Sequence, residues 1–380
     1  AFMEEGLISY IGQDMWEKYY ETVLAEAVEP EMIRSAGLNI VYTPLCGTGN
    51  EPVREILGRL GVNITVVECQ EKPDGDFKTC EYPNPETDAA LAESYKVAAG
   101  VPCDVILGTD PDCDRVAIAV PDGSGFRKLS GNELGCLLMD YILNARSKRN
   151  DIPVDAIVVR SIVSSPLADR IAEHYGVDMH AVLTGFKYIG EQIKLFEQRG
   201  EGTYEFGFEE SYGCLVGTHA RDKDAVVAVM CLCEAAAWCK KNGITLWDQM
   251  IKLYEQYGYY KESQYAITLK GIDGSKQIAE IMEKLRNNPP KAFGDLKVVS
   301  MRDYQYDKVI NLETGEETAT GLPKSNVLYF DLTNDSWCCA RPSGTEPKIK
   351  FYMGVKGTDL KDAEEKNARL TADLKAIIEA

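Results

Sequence analysis

The chain has 380 residues, 45% of them hydrophobic and 27% charged, with a formal net charge of −19. That length fits two or three domains with ordinary soluble cores. The acidic balance argues against nucleic acid and against anionic membrane surfaces as partners, so an anionic ligand must be held by local basic groups against the overall field. The 12 cysteines are scattered without any C-x-x-C pair and stand beside only three histidines. This argues against structural zinc and against a secreted disulfide scaffold, and reduced thiols in a cytoplasmic protein are expected. No apolar run approaches the roughly 18 residues of a membrane span, and the opening Ala-Phe-Met-Glu-Glu has no basic n-region of a signal peptide.

In chain order, residues 3–28 carry Leu7, Ile8, Ile11, Met15, Tyr19 and Val23 on a helical stripe. An apolar strand over 38–42 then runs into Thr-Pro-Leu-Cys-Gly-Thr-Gly-Asn (43–50), and a helix follows over 52–60. The dinucleotide fingerprint fails, because Pro52 stands where the third Gly belongs. Gly47 and Gly49 fit either a tight turn or the lining of a ligand cleft. A strand over 63–68, a long Pro-containing loop, a helix over 87–99 and a strand over 104–108 follow. This β-α-β-α-β order implies a parallel sheet covered by helices, with ligand loops beyond the carboxyl ends of the strands. Ser130 and Glu133 form a capping box that opens a helix to about Ser147.

A second round repeats this order, with strand 155–163, helix 166–175, strand 178–183, helix 186–198 and strand 203–208. Helices 224–241 and 245–257 close it. From Tyr259 the order changes to a strand, a helix over 275–287, several strands and a charged final helix over 360–379. One hairpin is legible, with arms 326–332 and 337–340 joined by Thr333-Asn-Asp-Ser. The expected fold class is α/β: two similar three-layer α/β domains with mixed or parallel sheets, over 1–127 and 128–257, plus a C-terminal α+β domain over 258–380.

The chemistry concentrates in loops. Residues 105–115 run from an apolar strand into Asp110, Asp112 and Asp114. In extended backbone this i, i+2, i+4 spacing points the three acids to one side, with Pro111 and Cys113 facing away. Three converging carboxylates repel unless a hard divalent cation joins them, and oxygen-only ligands favour Mg²⁺. An EF-hand is excluded, because Arg115 and Pro121 occupy the places of its Gly and Glu. Arg341-Pro-Ser-Gly-Thr reads as an anion site. Arg341 offers a planar fork, Ser343 and Thr345 offer hydroxyls, Gly344 permits close backbone approach, and Lys348 adds charge. Glu209 and Ser211, two apart at a strand end, suit vicinal sugar hydroxyls. Lys187 sits at a strand-to-helix junction, and His219, Arg221 and Lys223 form a second basic group. A lysine acting as general acid or base needs a depressed pKa.

Four loops thus stand in order: Thr109-Asp-Pro-Asp-Cys-Asp-Arg115, Thr184-Gly-Phe-Lys187, Gly207-Phe-Glu-Glu-Ser211 and Arg341-Pro-Ser-Gly-Thr-Glu-Pro347. This set resembles the α-D-phosphohexomutases, the phosphoglucomutase and phosphomannomutase family, over essentially the whole chain. The Phe208-Glu-Glu-Ser-Tyr212 wording leans towards bacterial phosphoglucomutase-like members. The resemblance implies reversible conversion of hexose 1-phosphate and hexose 6-phosphate, through a hexose 1,6-bisphosphate intermediate and a phosphoserine. It implies Mg²⁺ on Asp110, Asp112 and Asp114, and sugar hydroxyls on Glu209 and Ser211. The non-transferring phosphate falls to Arg341, Ser343, Gly344 and Thr345, with Lys348 beside them. Lys187, Arg221 and Lys223 line the cleft, Lys223 and Lys187 with Arg115 as catalytic candidates.

One departure is large. The family nucleophile lies in a Thr-x-Ser-His-Asn-Pro motif, and no Ser-His pair occurs here. Ser164 and Ser165 precede Pro166 but lack that context. The chain is therefore expected to match the family's second, third and fourth domains, with its own N-terminal domain as a partner in a full-length protein. The rival readings are a non-catalytic metal and phosphosugar binder, a phosphopentomutase-type relative, and a haloacid-dehalogenase-like phosphatase built on Asp112-Cys-Asp-Arg-Val116. The last leaves the other three loops unexplained.

Overall fold

A computed structural model describes residues 3–269, 272–344 and 346–379. The chain divides into two compact units. The first comprises Ala1–Arg160, Ile171–His180 and Gly185–Ile251, and the second Ser161–Arg170, Ala181–Thr184 and Lys252–Ala380.

The chain opens with α1 (Gln13–Ala25), α2 (Pro30–Ala36), β1 (Asn39–Thr43), α3 (Asn50–Arg59), β2 (Asn63–Val66), α4 (Ala92–Ala98), β3 (Val105–Thr109), β4 (Val116–Pro121) and β5 (Phe126–Lys128). Strand order is β2-β1-β3-β4-β5. The first three strands are parallel, as the β-α-β-α-β reading requires, and β4 and β5 return antiparallel. The hairpin between β3 and β4 carries the acidic loop.

The expected helix over 3–28 is shorter, because it starts only at Gln13. Leu7, Ile8, Tyr10 and Ile11 are exposed. Helices are stabilised chiefly by burying an apolar face, and those residues meet no core, whereas Tyr20 and Val23 do. The short α2 was signalled by Pro30 at its first position and Gly37 in the left-handed conformation beyond its end.

The second round contains α5 (Gly131–Arg149), β6 (Ala156–Ser161), α6 (Leu167–Tyr175), β7 (Asp178–Val182), α7 (Phe186–Arg199), β8 (Thr203–Glu209), β9 (Gly213–Val216), α8 (Ala225–Lys241) and α9 (Leu246–Tyr257). Its sheet runs β7-β6-β8-β9, with β6 and β8 parallel and β9 antiparallel. The plan of the first round recurs: parallel strands ending in an antiparallel hairpin whose loop carries acids. The capping box forms as read, with Glu133 N–H donating to Ser130 Oγ and Ser130 N–H donating to Glu133 Oε2. Helices α5 and α8 are buried almost all round, as their apolar sequences demand. Helix α8 packs on β3 and β4 of one sheet and on β9 of the other, so a single element ties both sheets into the first unit.

The last part contains β10 (Tyr259–Thr268), α10 (Ile272–Asn287), β11 (Ala292–Phe293), β12 (Leu296–Asp303), β13 (Lys308–Asn311), β14 (Glu317–Thr318), β15 (Leu328–Leu332), β16 (Trp337–Pro342), β17 (Lys348–Gly357) and α11 (Leu360–Glu379). An antiparallel sheet runs β10-β17-β16-β15-β12-β13-β14, with β11 beside β12. Its core joins Ile278, Met282 and Leu285 of α10 and Leu370 and Leu374 of α11 to Phe330, Phe351 and Met353 of the sheet. The β15–β16 turn places Asn334 and Asp335 at φ 62° and 52°, a left-handed pair that these side chains tolerate. Among the described residues no helix is long and apolar enough to cross a membrane.

Candidate functional site

Asp110, Asp112 and Asp114 each bring a carboxylate oxygen to within 4.8 Å of the others. The sequence reading expected convergence from an extended chain. The structure achieves it with a turn, because Cys113 N–H donates to the Asp110 carbonyl at 3.0 Å and Cys113 adopts φ 60°. Asp110 organises this turn. Its Oδ1 accepts from the N–H groups of Asp114 and Arg115 at 3.0 and 2.9 Å, and its Oδ2 accepts from Arg115 Nε at 2.8 Å. Asp110 is fully buried, Asp114 half-buried and Asp112 exposed. Burial pushes the Asp110 carboxyl up to about 6, against hydrogen bonding from Arg115 that favours its charge, while the nearby Asp114 charge adds to the rise. A buried acid beside a second acid is an unfavourable arrangement that a bound cation reverses. The donor set of three carboxylates is all hard oxygen, so the residues fit a hard divalent ion.

Lys223 joins this loop. Its Nζ lies 2.9 Å from Asp114 Oδ2 and 2.7 Å from Asp222 Oδ1, and its stem crosses Gly213, where a Cβ would collide with it. Burial pulls the Lys223 ammonium towards lower pKa, but hydrogen bonds to Asp222 and Asp114 outweigh this and leave it above the ordinary lysine value. Arg115, besides holding Asp110, donates to Asn84 Oδ1 at 3.3 Å and lies 3.7 Å from Glu86 Oε1.

The loop after β8 is anchored to the same region, since Val116 N–H donates to the Tyr212 carbonyl at 3.1 Å. Glu209 is buried and accepts from the Gly185 N–H at 2.6 Å, joining the Thr-Gly-Phe-Lys loop to the Glu209 loop. The expected extended pairing of Glu209 with Ser211 is replaced by a turn, because β8 ends at Glu209 and Tyr212 takes φ 70°. Lys187 is exposed, with Nζ 4.9 Å from the Tyr188 ring. Arg221 turns elsewhere, its Nη2 lying 2.6 and 2.7 Å from the two Glu197 carboxylate oxygens and its Nη1 donating to the Thr218 carbonyl.

In the second unit, Arg341 and Ser343 are half-buried, and Gly344 is exposed with no atom within 4 Å of a Cβ built on it. Ser343 N–H donates to the Lys348 carbonyl at 2.7 Å and Glu346 N–H donates to Ser343 Oγ at 3.3 Å, which closes the turn between β16 and β17. The Arg341 guanidinium Nη1 approaches the Tyr352 hydroxyl at 3.5 Å. Thr345 lies outside the described residues.

Sequence reasoning did not foresee what holds the aspartate loop in place. Thr48 N–H donates to the Pro111 carbonyl at 2.9 Å, and Ala225 N–H, at the start of α8, donates to the Cys113 carbonyl at 3.1 Å. Gly47 was the available signal, since a glycine in a turn often marks a close backbone approach.

Parallel strands feeding hairpin loops, twice over, followed by an antiparallel sheet, define an α/β protein whose first sheet carries a loop of three converging aspartates. Models of the phosphoglucomutase/phosphomannomutase family match it twice: alpha/beta/alpha domain II over residues 17–123 and alpha/beta/alpha domain III over residues 130–257. A phosphoglucomutase of Staphylococcus aureus (strain MRSA252) is 36% identical over 336 residues, covering 88% of this chain and 60% of the relative. The chain thus spans about 60% of the length of the curated relatives it matches. A Thermus thermophilus protein assigned as a phosphomannomutase superposes with TM-score 0.68 at 18% identity, over 98% of this chain and 68% of that one. An Aspergillus fumigatus N-acetylphosphoglucosamine mutase, solved in complex with GlcNAc-6P and magnesium, superposes with TM-score 0.54 at 15% identity, over 94% and 65%. Both structures share the fold. The chain belongs to the phosphoglucomutase/phosphomannomutase family.

Proposed function

We propose that this chain carries the metal-, sugar- and phosphate-binding parts of a phosphohexomutase that reversibly converts hexose 1-phosphate and hexose 6-phosphate, with glucose as the sugar. The converging Asp110, Asp112 and Asp114, in a chain 36% identical to a phosphoglucomutase, carry this reading. The three aspartates hold Mg²⁺, which when bound supplies positive charge for the oxygens of the transferring phosphoryl group. Lys223, beside Asp114, and Arg115, clamped on Asp110, add fixed positive charge, and Lys187 contributes a cation from its loop. Glu209 and Ser211 hold sugar hydroxyls, whereas Arg221, expected to join them, is held by Glu197 and is given no substrate contact. Arg341, Ser343, Gly344, Thr345 and Lys348 hold the phosphate that is not being transferred.

The reaction proceeds through a hexose 1,6-bisphosphate. A phosphoserine gives its phosphoryl group to the substrate, and the enzyme takes the other phosphoryl back. No Ser-His-Asn-Pro occurs in the 380 residues, so the nucleophile is assigned to a further domain of the protein. The functional division is 1–127 for metal, 128–257 for sugar and 258–380 for phosphate, in a cytoplasmic enzyme.

The test is a coupled assay of glucose 1-phosphate conversion with Mg²⁺ and glucose 1,6-bisphosphate. The gene product as its genome encodes it is expected to turn over. The 380-residue chain alone is expected to bind Mg²⁺ and glucose 6-phosphate in a titration calorimeter without turnover. Turnover by this chain alone overturns the assignment of the nucleophile. Binding without turnover by the whole gene product supports the non-catalytic alternative.

A further inference from the structure

The metal loop meets a strained turn. Leu45 and Cys46, neither a glycine, sit consecutively in the left-handed region at φ 47° and 58°. L-residues adopt that region at a steric cost, and it persists only where surrounding contacts over-determine it. Those contacts are present. Cys46 N–H donates to the Gln70 carbonyl at 2.8 Å, Leu45 N–H donates to Thr43 Oγ1 at 3.1 Å, and Thr43 Oγ1 donates to Gln70 Oε1 at 2.6 Å. Thr43, Leu45, Cys46 and Gln70 are all buried.

The strained residues aim the next three at the acidic loop. A Cβ on Gly47 would stand 2.6 Å from the Pro111 carbonyl oxygen and 2.8 Å from its carbon, with the Pro111 Cα nearer still. The N–H and hydroxyl of Thr48 both donate to that same carbonyl, at 2.9 and 3.2 Å. A Cβ on Gly49 would stand 2.6 Å from Thr109 Oγ1, 2.7 Å from Tyr42 Oη and 2.8 Å from Cys113 Sγ. The turn therefore lies against both residues that flank Asp112. On the far side of Asp112, the Cys113 carbonyl is held by the Ala225 N–H. Asp112 is the exposed member of the triad and the one best able to swing away from its like-charged neighbours. The residues on both sides of it, Pro111 and Cys113, are thus held through their carbonyls by two separate elements.

We propose that the Thr43–Gly49 turn is a platform that sets the divalent-cation affinity of the Asp110–Asp114 loop, with Gly47, Thr48 and Gly49 as positioning residues. The inference rests on the reading of that loop as a cation site. By holding three carboxylates converged before the ion arrives, the platform spares the ion the work of ordering them. Supporting groups outside the ligand set typically shift metal affinity by about 10–100-fold.

The experiment titrates Mn²⁺ into the 380-residue chain by calorimetry, with near-UV circular dichroism and melting temperature recorded without metal. Gly47→Ala is expected to weaken Mn²⁺ binding by about tenfold or more. Thr48→Val, an isosteric change at an exposed side chain that leaves the N–H in place, is expected to weaken it about threefold, the weight of one hydrogen bond, with the melting temperature unchanged. Gly58→Ala, in α3 with nothing within 4 Å of the new Cβ, is expected to bind as wild type. A folded Gly47→Ala that binds Mn²⁺ as tightly as wild type overturns the inference. If Gly47→Ala does not fold, wild-type binding by Thr48→Val overturns it. A wild type with no Mn²⁺ affinity instead overturns the metal reading beneath it.

Discussion

Gly131 opens α5 beneath the turn that follows β8, and replacing it with alanine sets two energies against each other. A Cβ on Gly131 would stand 2.7 Å from both the Glu210 carbonyl carbon and Tyr212 N, with the Glu210 oxygen nearer still. Ordinary C···O contact begins at roughly 3.3 Å, so the Glu210 peptide must retreat by about 1 Å. It cannot do so freely. Tyr212 already sits at φ 70°, and its carbonyl accepts from Val116 N–H. Overpacking of this kind costs about 1–3 kcal/mol. Helix propensity acts the other way, since alanine for glycine in a helix is worth about 0.5–1 kcal/mol. Packing wins, and the net loss is about 1–2 kcal/mol, or a melting point lower by roughly 3–6 °C. The same displacement moves Glu209 and Ser211, and misplacement by about 1 Å can cost up to about 100-fold in a positioned site. Gly131→Ala is therefore expected to melt lower by scanning calorimetry and to bind glucose 6-phosphate about tenfold more weakly. A variant that melts at or above wild type and binds sugar phosphate unchanged refutes the claim that the β8–β9 turn rests on this glycine.

Three further outcomes are expected. Burial, opposed by hydrogen bonds from the Glu29 and Val28 N–H groups, lifts the Glu234 carboxyl from 4.5 to about 7. The folded state thus holds a proton that the unfolded chain releases between those values, a stabilisation complete below about 4.5 and lost as pH climbs through about 7. In urea melts at pH 5 and pH 8, Glu234→Gln is expected to remove roughly 2–3 kcal/mol of that fall, and an identical pH slope in the two proteins would count against it. Ser130→Ala removes the side-chain half of the α5 capping box and should lower stability by about 1 kcal/mol, with Ser130→Thr retaining most of it. Arg341→Ala should weaken glucose 6-phosphate binding about 10–100-fold while leaving Mn²⁺ affinity untouched, and equal losses for both ligands would show a folding defect instead.

Much of the fold was legible because it rests on local patterns. The parallel core β2-β1-β3 follows from apolar runs alternating with helical ones, and the α5 capping box follows from Ser130 and Glu133 at the right separation. The N-terminal stripe misled for a tertiary reason. Leu7, Ile8 and Ile11 repeat at helical spacing, but periodicity cannot say whether a partner surface exists, and they stay exposed. Arg221 shows the same limit, since Glu197, whose carboxylate holds its Nη2, lies 24 residues away in sequence.

What the amino-acid order determined by itself is which chemical groups occupy the loops: three aspartates after an apolar strand, an acid and a hydroxyl after another, and an arginine with small polar residues between two strands. Those identities are local, and their chemistry does not depend on how the chain closes. Tertiary structure alone decided how the aspartates converge. An extended strand would have lined them up by alternation, yet Asp110 bends the backbone into a turn by accepting three hydrogen bonds, and a glycine turn some 60 residues earlier together with the first peptide of α8 pins it there. Backbone hydrogen bonds between distant segments leave no periodic trace in a sequence, because every residue type except proline carries the same donor and acceptor.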